Sequence, residues 1–147
     1  MNYNNSNERL MVFVDVRNIC KMVENDRRYC RPDFKGLVNL LSNGRRLIRP
    51  YAYDGSLIAD GEDTSRRFHD YLRANGFEVR ARNIYSSNDD VKQKGVDVEL
   101  ACDMVLFAKQ DLYDVAILVS GDGDFIPAVE RIKDMGKIVK VASFSDE

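Results

Sequence analysis

The 147-residue chain is poor in the residues that staple, ligate soft metals or anchor in lipid. It has three cysteines, Cys20, Cys30 and Cys102, an odd number at spacings that match no metal-ligand pattern. Buried or idle thiols in a reducing, cytoplasmic setting are the expectation. It has one histidine, His69, on a predicted surface helix with no acidic or cysteine partner nearby in sequence, which reads as structural or exposed. No apolar run approaches the roughly 20 residues of a membrane span, and the N-terminus has no signal-peptide apolar region. Glycine is missing after the first predicted strand, where Val16-Arg17-Asn18 stands, and this argues against a dinucleotide-binding turn. A strong overall charge is also missing. The formal net charge is −2, so no global pull toward polyanions exists.

What remains is the composition of a soluble globular protein, 44% hydrophobic and 31% charged, with a length that fits one domain. Residues 1–8 read as a polar, disordered leader and 9–147 as a single domain. The charge is unevenly placed. Residues 1–94 carry a balance of +4 and residues 95–147 a balance of −6. An acidic centre beside a basic surface suits a metal-dependent enzyme on a polyanion, and uneven colouring of solvated faces suits the same numbers.

In chain order the pattern alternates. Leu10 to Val16 is a continuous apolar run with one acid, Asp15, at its end, as in a central parallel strand, followed by a short helix around Ile19–Val23. Asp33 N-caps a predicted helix from Phe34 to Ser42, stopped at Asn43-Gly44. Arg46 to Tyr53 reads as a strand in which Pro50 demands an edge position, a bulge or a start at Tyr51. Residues 54–63 read as a loop. Asp63 or Thr64 caps the next helix, with Phe68, Tyr71 and Leu72 inward, and 77–82 is a strand near an edge. Residues 84–94 read as a mobile loop and Gly95 to Lys109 as a helix, with Val98, Ala101, Met104, Val105 and Ala108 toward the sheet. Val115–Val119, a helix from Phe125 to Asp134 and a strand from Lys137 to Ala142 complete the chain. Five strands alternating with helices predict a three-layer α/β/α fold around a mostly parallel five-stranded sheet, with Rossmann-like topology.

The most informative stretch is Val115-Ala-Ile-Leu-Val-Ser-Gly-Asp-Gly-Asp124, a buried strand breaking into a turn with two carboxylates. Two glycines permit a tight turn and close approach of a ligand. In parallel sheets the working site lies at the carboxyl ends of strands. Asp15, Asp97, Asp122 and Asp124 all fall at that edge. Converging carboxylates without a compensating lysine suit a hard divalent cation such as Mg²⁺ or Mn²⁺. Asn18 and Ser120 are neutral groups able to orient a ligand. Asp122 and Asp124 also fit plain turn chemistry, and Asp124 is the expected partial helix cap, with Asp122 the metal-site acid. Lys92 and Lys94 fit phosphate contacts or solvation equally. Asp103, some 120° around the helix from Asp97, reads as a salt-bridging or supporting group. Tyr51, Tyr53, Phe77 and Tyr85 fit base stacking, and the core more often claims strand aromatics.

Phe13-Val-Asp15-Val-Arg-Asn18, Lys94-Gly-Val-Asp97-Val and Ser120-Gly-Asp122-Gly-Asp124-Phe125-Ile-Pro127, in this order, resemble the three motifs of the NYN domain. This is the LabA-like branch of the PIN-like nuclease superfamily, and the resemblance spans about residues 9 to 144. It implies a PIN-like fold and a Mg²⁺- or Mn²⁺-dependent endoribonuclease. Asp15, Asp97, Asp122 and Asp124 would hold the metal, and Asn18, Ser120, Arg17 and Lys94 would contact substrate, single-stranded or structured RNA. Many relatives have glycine where this chain has Val16, and Arg17 adds a cation beside the site. Relatives often continue beyond the position of Glu147, so an exposed apolar patch near the last strand suggests a homodimer. Two other readings stand beside it. A haloacid-dehalogenase-like phosphatase would need an acid where Arg17 stands. A non-catalytic RNA-binding or interaction module would keep the fold and the acids.

Overall fold

The computed structural model describes residues 7–25, 32–84 and 89–143, with the side chains of 24–25 and 89–94 outside that description. The polar leader up to residue 6, Cys30, Tyr85 and the side chains of Lys92 and Lys94 therefore lie outside the described residues.

Strand β1 (Arg9–Asp15) runs directly into helix α1 (Val16–Asn25), and α2 (Phe34–Ser42) follows. Asp33 caps α2 as expected, its carboxylate accepting from Gly36 N at 2.9 Å. Asn43 then turns left-handed at φ 46° and stops the helix. Strand β2 (Arg46–Ala59), a two-residue β3 (Glu62–Asp63), α3 (Arg66–Ala74) and β4 (Glu78–Ile84) come next, then α4 (Asp89–Lys109), β5 (Val115–Val119), a 3₁₀ turn (Gly123–Phe125), α5 (Ile126–Asp134) and β6 (Ile138–Ala142).

Five strands are parallel, in the spatial order β4-β2-β1-β5-β6, the Rossmann-like arrangement expected from the alternation. The sixth strand was not foreseen. Residues 54–63 are not a loop: β2 continues to Ala59 and folds back antiparallel as β3. Pro50 is accommodated in two of the ways its chemistry allows. The β1–β2 register shifts between Leu10 and Met11, leaving Ile48 as the extra residue, and β4 joins β2 only from Tyr51 onward. The missing N–H of Pro50 thus faces no second neighbour.

Alternation along β1 divides the core. Leu10, Val12 and Val14 pack toward α1, α2 and α3, while Met11 and Phe13 pack toward α4 and α5. Phe13 anchors the second layer among Tyr51, Tyr53, Phe107 and Tyr113, with ring centroids 5.8 to 6.5 Å away. The same parity places Asp15 on the α4 side.

Helix α4 differs most from expectation. It begins at Asp89 rather than Gly95, and its buried face is Val96, Leu100, Met104, Phe107 and Ala108. Val98 is 61% exposed, with Ala101 and Val105 only at the margin of the core. The apolar pattern is nearly continuous around this helix, so periodicity alone misplaced the stripe by roughly one residue. In α3, Ser65 rather than Asp63 or Thr64 holds the cap position, Tyr71 faces outward, and His69 joins Leu72 inside.

Candidate active site

The carboxyl ends of β1 and β5 meet at Asp15 and Ser120. Asp15 is the last residue of β1 and caps α1, with Asn18 N donating to its Oδ1 at 3.3 Å. Ser120 Oγ donates to its Oδ2 at 3.0 Å, and both side chains are buried. Burial pushes the Asp15 carboxyl above its ordinary value. The bonds from Ser120 and Asn18 oppose that rise, and the charges of Asp122 and Asp54 add to it.

Ser120 also accepts from Asp122 N at 3.1 Å, which fixes the turn after β5. Asn18 Oδ1 accepts from Gly121 N at 2.9 Å and ties α1 to the same turn. Neither Gly121 nor Gly123 has a positive φ. Gly121 lies close beneath α1, where a Cβ would come within 2.6 Å of Met22 Cε. The expected capping assignment is reversed. Asp122 caps the 3₁₀ turn, its Oδ1 accepting from Asp124 N at 2.9 Å.

A cleft of about 90 Å³ at this edge is lined by Asp15, Asp97 and Asp122 together with Arg17, Asn18 and Lys21. The structure therefore brings three of the four expected acids together. Asp124 is exposed and outside the lining. Asp97 reaches the cleft from eight residues inside α4, about 12 Å along the helix axis from its start, and not from its first turn. Lys94 carries no placement of its side chain. Asp103 lies away from the cleft and does what its position on α4 suggested. Tyr53 Oη donates to its Oδ2 at 2.8 Å, and Arg80 pairs with the same oxygen at 3.0 Å while covering the Tyr51 ring at 5.5 Å. This cluster packs Tyr53, the register partner of Asp15, against α4.

Two features escaped the sequence. Lys21, one helical turn beyond Arg17, joins the lining, and that i, i+4 spacing was the available signal. His69 is 1% exposed and its Nε2 lies 2.8 Å from Oδ2 of Asp54, which follows Tyr53 at the same edge. The fifteen-residue separation hid this partner, since Asp54 was read as loop. A larger groove of about 450 Å³, between α2 and β6, has no carboxylate in its lining and plays no part here.

The cleft's donors are carboxylate and amide oxygens, the set that hard cations take. Among the described residues no three acidic, histidine or cysteine groups close into a ready cage. The arrangement fits a cation held by the cleft's carboxylates with waters completing its shell, as Mg²⁺ commonly keeps them, rather than a fully protein-ligated ion.

With that geometry in place, comparison with known proteins is informative. Over 143 residues, 92% of this chain and 73% of the other, it is 28% identical to the low amplitude and bright protein LabA of Synechococcus elongatus. Its fold superposes with a TM-score of 0.75 on the crystal structure of a protein of unknown function from Vibrio parahaemolyticus, 28% identical, covering 97% of this chain and 85% of that one. The NYN domain model matches residues 9–147. The chain thus belongs to the NYN domain family, in its LabA-like branch.

Proposed function

We propose that the protein is a metal-dependent endoribonuclease working at the cleft between β1, β5 and α4. The single observation that carries this reading is the convergence of Asp15, Asp97 and Asp122, from three separate elements, on one small polar cleft. Membership of a family within the PIN-like nuclease superfamily supports it. Mg²⁺ or Mn²⁺ would be held by Asp15, Asp97 and Asp122, and when bound would supply Lewis-acid stabilisation and an activated water.

The chain's own residues have distinct tasks. Ser120 and the Asn18 backbone hold the Asp15 carboxylate with both oxygens oriented. The Asp124 amide fixes the rotamer of Asp122. Arg17 offers positive charge to a phosphodiester at the cleft mouth, and the Asn18 side-chain oxygen, accepting from Gly121 N, holds the turn after β5. Asp124 contributes its backbone amide to this arrangement, and the reading rests on the trio Asp15, Asp97 and Asp122.

The test is cleavage of labelled RNA, single-stranded and hairpin, in Mn²⁺. Activity that disappears with chelator and with Asp122→Asn supports the reading. Equal residual cleavage by parent and variant would sink it. Binding without cleavage would instead favour a non-catalytic RNA-binding module.

A further inference from the structure

The cleft contains more than a cation site requires. Two of its six lining residues are cations, Arg17 and Lys21, both on α1, while the three acids come from β1, α4 and the turn after β5. Charges of opposite sign so close commonly pair. Here, among the described residues, neither Arg17 nor Lys21 is within ion-pair distance of an acid, although Arg9, Arg80, Arg82 and Lys137 all are. The cleft is bipolar, with its cations on α1 and its acids on the elements that face α1.

The chemistry of this side restricts what it can hold. A guanidinium and an ammonium carry only donors and positive charge, and phosphate oxygens are the groups they take best. The α1 side is therefore suited to the backbone of a strand.

We propose that α1 is a phosphate rail: Arg17 and Lys21 take backbone phosphates flanking the linkage held at the acids, and so bind a strand without regard to its bases. Residues four apart on a helix are about 6 Å apart along its axis, so the two cations grip successive points of the strand rather than one oxygen. Phosphate contacts of this kind position a substrate and carry no sequence information. The inference rests on RNA as the ligand of the cleft and adds how the strand is held.

Binding can be measured separately from cleavage. Single-stranded RNA oligonucleotides of two unrelated sequences are titrated in EDTA with the parent chain, Arg17→Ala, Lys21→Ala, Lys21→Arg and Lys109→Ala, across a salt series. Lys109 ends α4 at the opposite edge of the sheet and serves as the control. Each cleft variant to alanine should lower the slope of log K against log salt by about 0.7, the single-strand value for one lost phosphate contact. The loss should be equal for both sequences, with Lys21→Arg retaining the parent slope. An unchanged slope in Lys21→Ala, a loss confined to one sequence, or an equal loss in Lys109→Ala would overturn the rail. If the slopes shift as expected and the parent does not cut RNA in Mn²⁺, the nuclease reading fails and the rail stands. If the parent cuts RNA and the Lys21→Ala slope does not move, the rail fails alone.

Discussion

The Ser120 hydroxyl, buried between two strand ends, donates to Asp15 Oδ2 at 3.0 Å across 105 positions of sequence. It also accepts from Asp122 N at 3.1 Å, so one oxygen fixes the relation of two site acids. Ser120→Ala should therefore cost about 1–3 kcal/mol of stability, the penalty for leaving buried groups unpartnered. Its effect on RNA cleavage should be of similar size, on the order of 10–100-fold, as for other groups that orient ligands. Urea unfolding and cleavage rates on the same samples check the two arms, and unimpaired cleavage would remove Ser120 from the site.

Asp15→Asn should separate stability from function. The folded-state carboxyl of Asp15 is raised, so its ionised form disfavours folding above that raised value, and the disadvantage fades as pH falls. Asparagine keeps the shape and an accepting oxygen without the charge. The metal-free variant should melt higher than the parent at pH 7 and equal to or below it in acid. Manganese should raise the parent melting temperature and leave the variant unmoved. A lower melting temperature at pH 7 would show that the charge is better compensated than its burial implies.

At the opposite edge of the sheet, Arg9 clamps the start of β5. Its backbone N and guanidinium reach both Asp114 oxygens at 2.8 to 3.2 Å, and Asp111 joins through Arg9 and Lys137. The Arg9 guanidinium holds the Asp114 carboxyl down to about 2. A depressed carboxyl stabilises the fold above its unfolded value near 3.8 and loses that contribution as pH falls toward 2. Asp114→Asn should flatten the melting curve between pH 4 and about 2 while leaving RNA cleavage intact. The pair is partly exposed, so the change should be modest and smaller in high salt.

His69→Ala should be among the more damaging single changes outside the acids. It removes a buried ring packed on Phe68 at 5.9 Å and leaves Asp54 without its partner at the site edge. A loss of about 2–4 kcal/mol is expected from the combined cavity and stranded charge. His69→Gln, which can still donate to Asp54, should recover part of it in denaturant titration. An alanine variant as stable as the parent would show the pair to be incidental.

Much of this architecture is legible before any coordinates. The apolar runs of β1 and β5 and the spacing between them give parallel strands, and strand parity carries Asp15 to the α4 side. Asp15, Asp97 and Asp122 are recoverable because topology alone sends them to one edge. Other features resist for physical reasons. Helix α4 is apolar nearly all around, so Val98 looked inward when the core had taken Val96 and Leu100. The extension of β2 and β3 follows from pairing with β4 through Leu57 and Ile84, a long-range preference that local turn chemistry hides. Asp124 and Asp122 are chemically alike in sequence, and it is the folded turn that distinguishes them, through the hydrogen bond from Asp124 N to Asp122 and the place of Asp122 in the cleft.

The irregularity at Ile48 has a consequence for how the protein tolerates change. Four residue pairs, from Met11 opposite Arg49 to Val14 opposite Ala52, stand between it and Asp15 opposite Tyr53. A residue added or removed near Arg45 can be absorbed at that point, like slack taken up in a cable, without altering which residue lies across from Asp15. Between Met11 and Asp15 no such slack exists: one inserted residue would turn the carboxylate to the opposite face of the sheet.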